Sequence, residues 1–201
     1  MWARLARRLS FCWLVLASAA GAEPDLMQRE PWEACEYCHG RDGRIDSPVV
    51  PAIGGQSSSY IRKQLHDFRV GRRVSPQAQM RSATLLLEAV DDAAVAAHFA
   101  AIPVKTARPS APQAAGGVAS ILFWFGDDGR PACVTCHAAA RHALADGHPY
   151  LFGLNRGYIA RQLTAFRDGR RSNDRGGVMR TQASALDDAQ IAALAAYLSS
   201  R

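Results

Sequence analysis

A five-residue pattern, Cys35-Glu36-Tyr37-Cys38-His39, returns 98 positions later as Cys133-Val134-Thr135-Cys136-His137. A chain built this way has to organise itself around whatever those residues hold, and do so twice. Two thiols three positions apart on one short turn reach the two vinyl groups of a single haem. The imidazole that follows then faces the iron, so the spacing reads as two covalent haem c sites. Two competing readings use the same cysteines. One structural zinc held by both pairs is opposed by their separation and by the His attached to each. A stapling disulfide pair leaves both His residues unexplained.

The compartment expected from the N-terminus agrees with haem attachment outside the cytoplasm. Residues 1–22 hold a basic start (Arg4, Arg7, Arg8), an apolar run from Leu9 to Ala17 and the small-residue ending Ala20-Gly21-Ala22, the layout of a cleaved secretory signal. An uncleaved anchor is the competing reading, but the run falls short of the roughly 17 to 25 apolar residues of a membrane span. Cys12 would leave with this segment, placing every remaining cysteine inside the two motifs. Three basic groups and no acid leave too, so the formal charge falls from +6 to +3. The four propionates of two haems would offset that remainder, and no clustered basic footprint calls for nucleic acid. Residues 109–201 carry ten basic and seven acidic side chains against eleven of each over 23–108, a bias able to steer an acidic partner.

About 179 residues would remain after cleavage, and the repeat divides them into two small domains rather than one. At the same offset of 98, Pro51 falls on Pro149, Gly55 on Gly153, Tyr60-Ile61 on Tyr158-Ile159 and Gln64-Leu65 on Gln162-Leu163. Phe68-Arg69 then falls on Phe166-Arg167, and Gly71-Arg72-Arg73 on Gly169-Arg170-Arg171. The expected units are a leader at 1–22, a first domain at 23–102, a Pro, Ala and Gly-rich linker at 103–117 and a second domain at 118–201.

Both halves read as all-α. Ile61, Leu65 and Phe68 occupy i, i+4 and i+7, as do Ile159, Leu163 and Phe166, giving each half one helix with a single apolar face. Gly71 and Gly169 end those helices. The final helix opens at Asp187 with Gln190 three residues on, a capping-box pattern, and turns Ile191, Leu194, Ala195 and Leu198 inward. Its first-half counterpart runs from near Asp91 to before Pro103. Domains this small have thin cores, so the cofactor supplies part of the apolar interior and the apo-protein is expected to fold poorly.

The sixth iron ligand decides between carrying electrons and doing chemistry at the metal. Met80 and Met179 follow their motif histidines by 41 and 42 residues, and each precedes an Arg. That matched placement points to both as axial ligands opposite His39 and His137. Bis-His ligation through His66, His98, His142 or His148 is the alternative, but none of these has a histidine at the matching position. Pro51 and Pro149 each follow the motif His by twelve residues, where a backbone carbonyl would accept the imidazole Nδ1–H and orient the ring. Tyr60, Tyr158, Phe68 and Phe166 read either as haem-edge residues or as core. The Arg72-Arg73 and Arg170-Arg171 pairs read as solvated helix ends, with propionates or a partner as the alternative.

Together, the two motifs, His39-Gly40 with Asp42-Gly43, the stretch Gly55 to Leu65, the repeated Phe-Arg-x-Gly-x-Arg element and the late methionines resemble the dihaem cytochrome c4 type of class I cytochromes c. The resemblance spans nearly all of the chain beyond the leader. It departs at Ala138-Ala139-Ala140, where a Gly-rich turn is usual, and over Arg81–Val90, which is longer than Arg180–Leu186. It implies two tandem class I cytochrome c domains, each wrapped around one haem c, with axial pairs His39/Met80 and His137/Met179. It also implies periplasmic one-electron transfer with peripheral membrane attachment. The donor would be a quinol–cytochrome c reductase or a dehydrogenase and the acceptor a terminal oxidase. A cytochrome subunit of a sulfide- or alcohol-oxidising dehydrogenase is the second reading. A dihaem peroxidase or thiosulfate dehydrogenase is the third, and it would need an open or displaceable iron ligand.

Overall fold

The computed structural model describes residues 30–89, 91–103, 117–127, 129–137 and 147–199. The expected leader, residues 104–116 of the expected linker, His142 and the Ala138-Ala139-Ala140 segment lie outside the described residues. Nine α-helices are found among them: α1 Glu33–His39, α2 Ser58–Arg69, α3 Gln79–Leu85, α4 Asp91–Ala101, α5 Gly117–Trp124, α6 Val134–His137, α7 Arg156–Arg167, α8 Val178–Ser184 and α9 Asp188–Ser199. No strand occurs among the described residues beyond one isolated bridge, Asp127 to Arg130.

The repeat read from the sequence becomes a repeat of packing. In the first half α2 packs on α3 and α4; in the second α7 packs on α8 and α9, and α5 lies against α9. Ile61 and Leu65 of α2 meet Val95, Ala96 and Phe99 of α4, with Cys35 and Met80 bordering the cluster. Tyr158 and Ile159 of α7 meet Ala195 and Leu198 of α9 together with Phe123, Tyr150 and Phe152, and Cys133 borders that cluster. Each cofactor motif therefore abuts its own half's core.

The helix ends follow from local chemistry. Ser57 caps α2 by accepting from the Tyr60 N–H, and Asn155 caps α7 by accepting from the Gly157 N–H at 2.8 Å. Asp187 and Gln190 form the expected reciprocal box: Gln190 N donates to Asp187 Oδ1 at 2.7 Å, and Asp187 N donates to Gln190 Oε1 at 3.1 Å. The four apolar residues assigned to this helix are its buried face. Gly71 and Gly169, just beyond α2 and α7, have φ of +75° and +73°, a left-handed turn that a Cβ disfavours.

The halves meet through α2 and α7 and the loops after them, and the sequence reading of those loops needs correction. Arg73 is buried at 8% exposure rather than solvated. Its Nη2 donates to Tyr158 Oη at 2.9 Å and Gln162 Oε1 at 3.2 Å, both across the boundary. Arg171 reaches back to Tyr60 Oη at 3.3 Å and Gln64 Oε1 at 3.2 Å. Arg72 and Arg170 are exposed, so only the second arginine of each pair turns inward. The buried Gln56 amide also crosses, donating to Tyr150 O at 3.0 Å and accepting from Tyr150 N at 2.7 Å.

Candidate functional site

Each motif histidine ends a short helix, α1 or α6, and is buried at 6% exposure. In both halves its Nδ1 lies 3.0 Å from a proline carbonyl twelve residues on, Pro51 O for His39 and Pro149 O for His137. A carbonyl only accepts, so Nδ1 carries the proton and Nε2 presents a lone pair. The loop that delivers Pro51 is drawn in by tight backbone contacts: Ile53 N and Gly54 N both donate to Gly43 O, at 2.8 and 3.1 Å. A Cβ on Gly54 would stand 2.1 Å from Asp42 O, so only glycine admits this approach. Gly55 N then donates to Phe99 O at 2.6 Å, as Gly153 N does to Leu198 O at 3.0 Å, docking both loops on the last helix of their half.

Burial sets the charge state of both rings. It lowers the His39 imidazole below its ordinary value, opposed by the Pro51 bond. His137 is pushed down to about 4, by burial first, against the Pro149 bond and with help from His148. Both are therefore neutral near pH 7. His137 Nε2 is fully buried and has no hydrogen-bond partner. Such an atom is costly unless something binds it, and a neutral imidazole nitrogen aimed into a buried space is the donor that haem iron takes.

The four motif cysteines are unpaired, so the disulfide reading finds no bond here. Burial raises the Cys35 thiol to about 11, with Cys38 and Glu36 adding to it, and burial likewise raises Cys133. These are not activated thiolates of the kind a nucleophilic site would present. Among the described residues no three His, Cys, Asp or Glu side chains gather as a zinc site would require.

Met80 and Met179 stand near the starts of α3 and α8, and both are half-buried. The approach to each helix is the same: Ala78 and Gly177, two residues ahead of each methionine, have φ of +59° and +73°. Met80 N donates to Ser75 Oγ at 3.1 Å, while Arg180, beside Met179, is fixed by its N–H and Nε on Asp174 at 3.0 and 2.9 Å. Met80 joins Cys35 at one core cluster. Of the alternative histidines, His66 is exposed on α2. His98 is stacked on Trp32 with centroids 4.5 Å apart and faces Glu36 Oε1 at 3.3 Å. His148 meets the His137 ring edge-on at 6.0 Å, beside Pro149.

What sequence reasoning missed is the polar seam between the halves. Gln64, Gln162, Arg73 and Arg171 were visible as repeated residues, but a repeat offset does not say that two copies face one another.

A family model described as cytochrome c matches residues 128–201. Cytochrome c4 of Pseudomonas aeruginosa is 36% identical over 168 residues, covering 82% of each protein. A thiosulfate dehydrogenase electron acceptor of Stutzerimonas stutzeri is 37% identical over 181 residues, covering 88% of this chain and 80% of that protein. The solved structure of Acidithiobacillus ferrooxidans cytochrome c4 superposes with a TM-score of 0.71 at 30% identity, over 84% of this chain and 99% of its own. With both haem motifs in place and the likeness running through both halves, the chain belongs to the cytochrome c4 family, the dihaem c-type cytochromes of electron transfer.

Proposed function

We propose that the protein is a periplasmic carrier that takes up and releases single electrons at two closed-coordination haems and does no substrate chemistry at the iron. Bound haem c supplies a ferric–ferrous couple. Cys35 and Cys38 hold the first haem by thioethers, and Cys133 and Cys136 the second. His39 and His137 would ligate the irons through Nε2, and Met80 and Met179 would supply the thioether ligands. The Pro51 and Pro149 carbonyls hold each imidazole in its ligating tautomer and increase its donor strength. The protein-specific observation that carries this reading is the buried, unpartnered Nε2 of His137, held by the same 3.0 Å proline contact that recurs at His39. The two haem domains correspond to residues 23–102 and 118–201, after a leader at 1–22 and joined by a linker at 103–117. No described helix is long and apolar enough to cross a membrane.

The electrons come from a quinol–cytochrome c reductase or a dehydrogenase and pass toward a terminal oxidase, with peripheral attachment at the membrane. A second reading, service to a thiosulfate-oxidising dehydrogenase, is favoured by the 37% identical relative whose name is that of such an acceptor. Reduction of the purified protein by each enzyme separates them: turnover with a thiosulfate dehydrogenase but not with a quinol oxidation complex selects the second.

Closed coordination is tested directly. The ferric protein should show a sulfur-to-iron charge-transfer band, lost in part in Met80→Ala or Met179→Ala and wholly in the double variant. The reduced protein should bind carbon monoxide slowly or not at all. Rapid binding by the unaltered protein at either haem would overturn the carrier reading.

A further inference from the structure

The first haem motif carries a carboxylate that the second lacks. Glu36 stands between Cys35 and Cys38, about one helical turn ahead of His39, and is half-buried. Facing it from α4 is His98, whose Nε2 lies 3.3 Å from Glu36 Oε1. That nitrogen is buried and makes no aligned hydrogen bond, so the contact is one of charge rather than of a fixed bond. The imidazole lies flat on Trp32, with centroids 4.5 Å and planes 8° apart, and meets Phe99 edge-on at 5.0 Å. It occupies the last turn of α4, so a carboxylate, an indole face and a helix C-terminus, each attractive to a cation, converge on one ring. A quarter of the side chain stays open to solvent, which gives a proton a way in and out. The other charges around α4 are spent elsewhere. Arg69 of α2 holds Asp92, Lys63 holds Asp67, Asp91 accepts from Glu88 N, and Arg62, His66 and Glu33 are exposed. Among the described residues Glu36 is the ionic group that faces His98.

The second half is built differently at the same place. Gly55 N donates to Phe99 O and Gly153 N to Leu198 O, so Phe99 matches Leu198 and His98 matches Tyr197. The Tyr197 hydroxyl accepts from the Trp124 indole at 2.8 Å. Val134 stands where the first motif has Glu36. The internal repeat therefore supplies its own control, one attachment turn with an imidazole–carboxylate pair against it and one without.

We propose that His98, held by Glu36 and Trp32, is a proton-binding site coupled to the first haem, so that this haem gains a proton with its electron while the second gains an electron alone. This rests on the dihaem reading. The step balances as one electron from a reduced redox partner and one proton from solvent. The first iron goes from ferric to ferrous, His98 goes from imidazole to imidazolium paired with the Glu36 carboxylate, and reoxidation releases both. The coupling is electrostatic and reciprocal: ferrous iron carries one positive charge fewer, so reduction strengthens proton binding and a bound proton favours reduction. With His98 neutral, the Glu36 charge is left uncompensated beside the motif and favours the ferric state. The first potential therefore falls as pH rises through the titration of His98, and the second does not. At an effective dielectric near 20, one unit charge about 10 Å from another is worth on the order of a tenfold change in the reduced-to-oxidised ratio, about 59 mV for one electron. The gap between the two potentials then depends on pH, and with it the division of electrons between the halves.

The test is a spectroscopic redox titration of the full holo-protein, repeated across roughly pH 5 to 8, where histidine side chains ordinarily change charge, beside His98→Phe, His98→Gln and Glu36→Gln. In the unaltered protein one potential should fall by roughly the tenfold equivalent as pH rises, while the other holds level. His98→Phe keeps a ring on Trp32 and should abolish that fall, as should His98→Gln. Glu36→Gln removes an anion from the attachment turn and should raise the same potential at the alkaline end; with the stack intact, this variant decides the matter if the His98 variants do not fold. Reduction in weakly buffered solution should draw protons from the medium, and fewer with His98→Phe. A fall that survives both His98 variants would overturn the proton site. So would level potentials at both haems, an equal fall at both, or an alkaline potential that Glu36→Gln leaves unmoved. Haem content separates the two levels: fewer than two haems c per chain defeats the dihaem reading, whereas two haems with level potentials defeat only the proton site.

Discussion

At the scale of single residues, repetition in sequence does not imply equal energetic weight. Arg69 and Arg167 occupy matching positions at the ends of α2 and α7, and each reaches an acid on the last helix of its half. Arg69 grips Asp92 by two bonds of 2.7 and 2.6 Å and also donates to Thr84 O at 3.0 Å, with Asp92 largely buried. Arg167 meets Asp188 by one bond at 2.6 Å, and that carboxylate is 90% exposed. Asp92→Asn should therefore cost about 1.5–3 kcal/mol, as expected for a charge-assisted bond out of water. Asp188→Asn should cost about 0.2–1 kcal/mol. Denaturant unfolding of the two variants side by side measures the difference. The repeated Arg was legible in sequence; the exposure of its partner was not, because it depends on what packs over the helix.

At the scale of elements, local rules were sufficient wherever the deciding contacts lie within a turn of one another. Asp187 and Gln190 were read as a cap for α9 and form one with both reciprocal bonds. Asp187→Ala removes the side-chain half of that box and should lower stability by about 1 kcal/mol, visible as a reduced thermal midpoint. The apolar faces of α2 and α7 follow from i, i+4, i+7 spacing for the same reason, since the periodicity of a helix is a property of its own backbone. Leu163 qualifies the rule. Its counterpart Leu65 is buried, whereas Leu163 is only partly so and packs between two core clusters. The face was predictable, but how completely it is covered depends on α5, whose Ala119 and Leu122 come from far earlier in the sequence and form one of the clusters against which Leu163 packs.

At the scale of the whole molecule, two similar units are joined by a seam that is only partly symmetric. The arginine, tyrosine and glutamine contacts repeat in both directions, whereas Gln56 crosses once, where the second half has Leu154. Its amide satisfies both backbone groups of Tyr150 in a buried setting. Gln56→Ala should remove both of these bonds to the Tyr150 backbone and cost about 2 kcal/mol or more. Because the contact joins the halves, the variant should also loosen their cooperativity, seen as a broadened or split denaturant transition. A single sharp transition at unchanged midpoint would show that Gln56 does not help hold the halves together.

The haem motifs, their proline partners, the helix faces and the cap of α9 were open to reading from the chain, because each is fixed by residues a few positions apart or by an offset that repeats. Those local facts also carry the dihaem character, since covalent attachment needs only two thiols and an imidazole on one turn. The tertiary structure decided which of two adjacent arginines turns inward, which salt bridge is buried, and that Tyr60 and Gln64 meet Arg171 across the boundary between halves. Such contacts join residues about a hundred positions apart, and burial is a property of the assembled surface rather than of any segment of it.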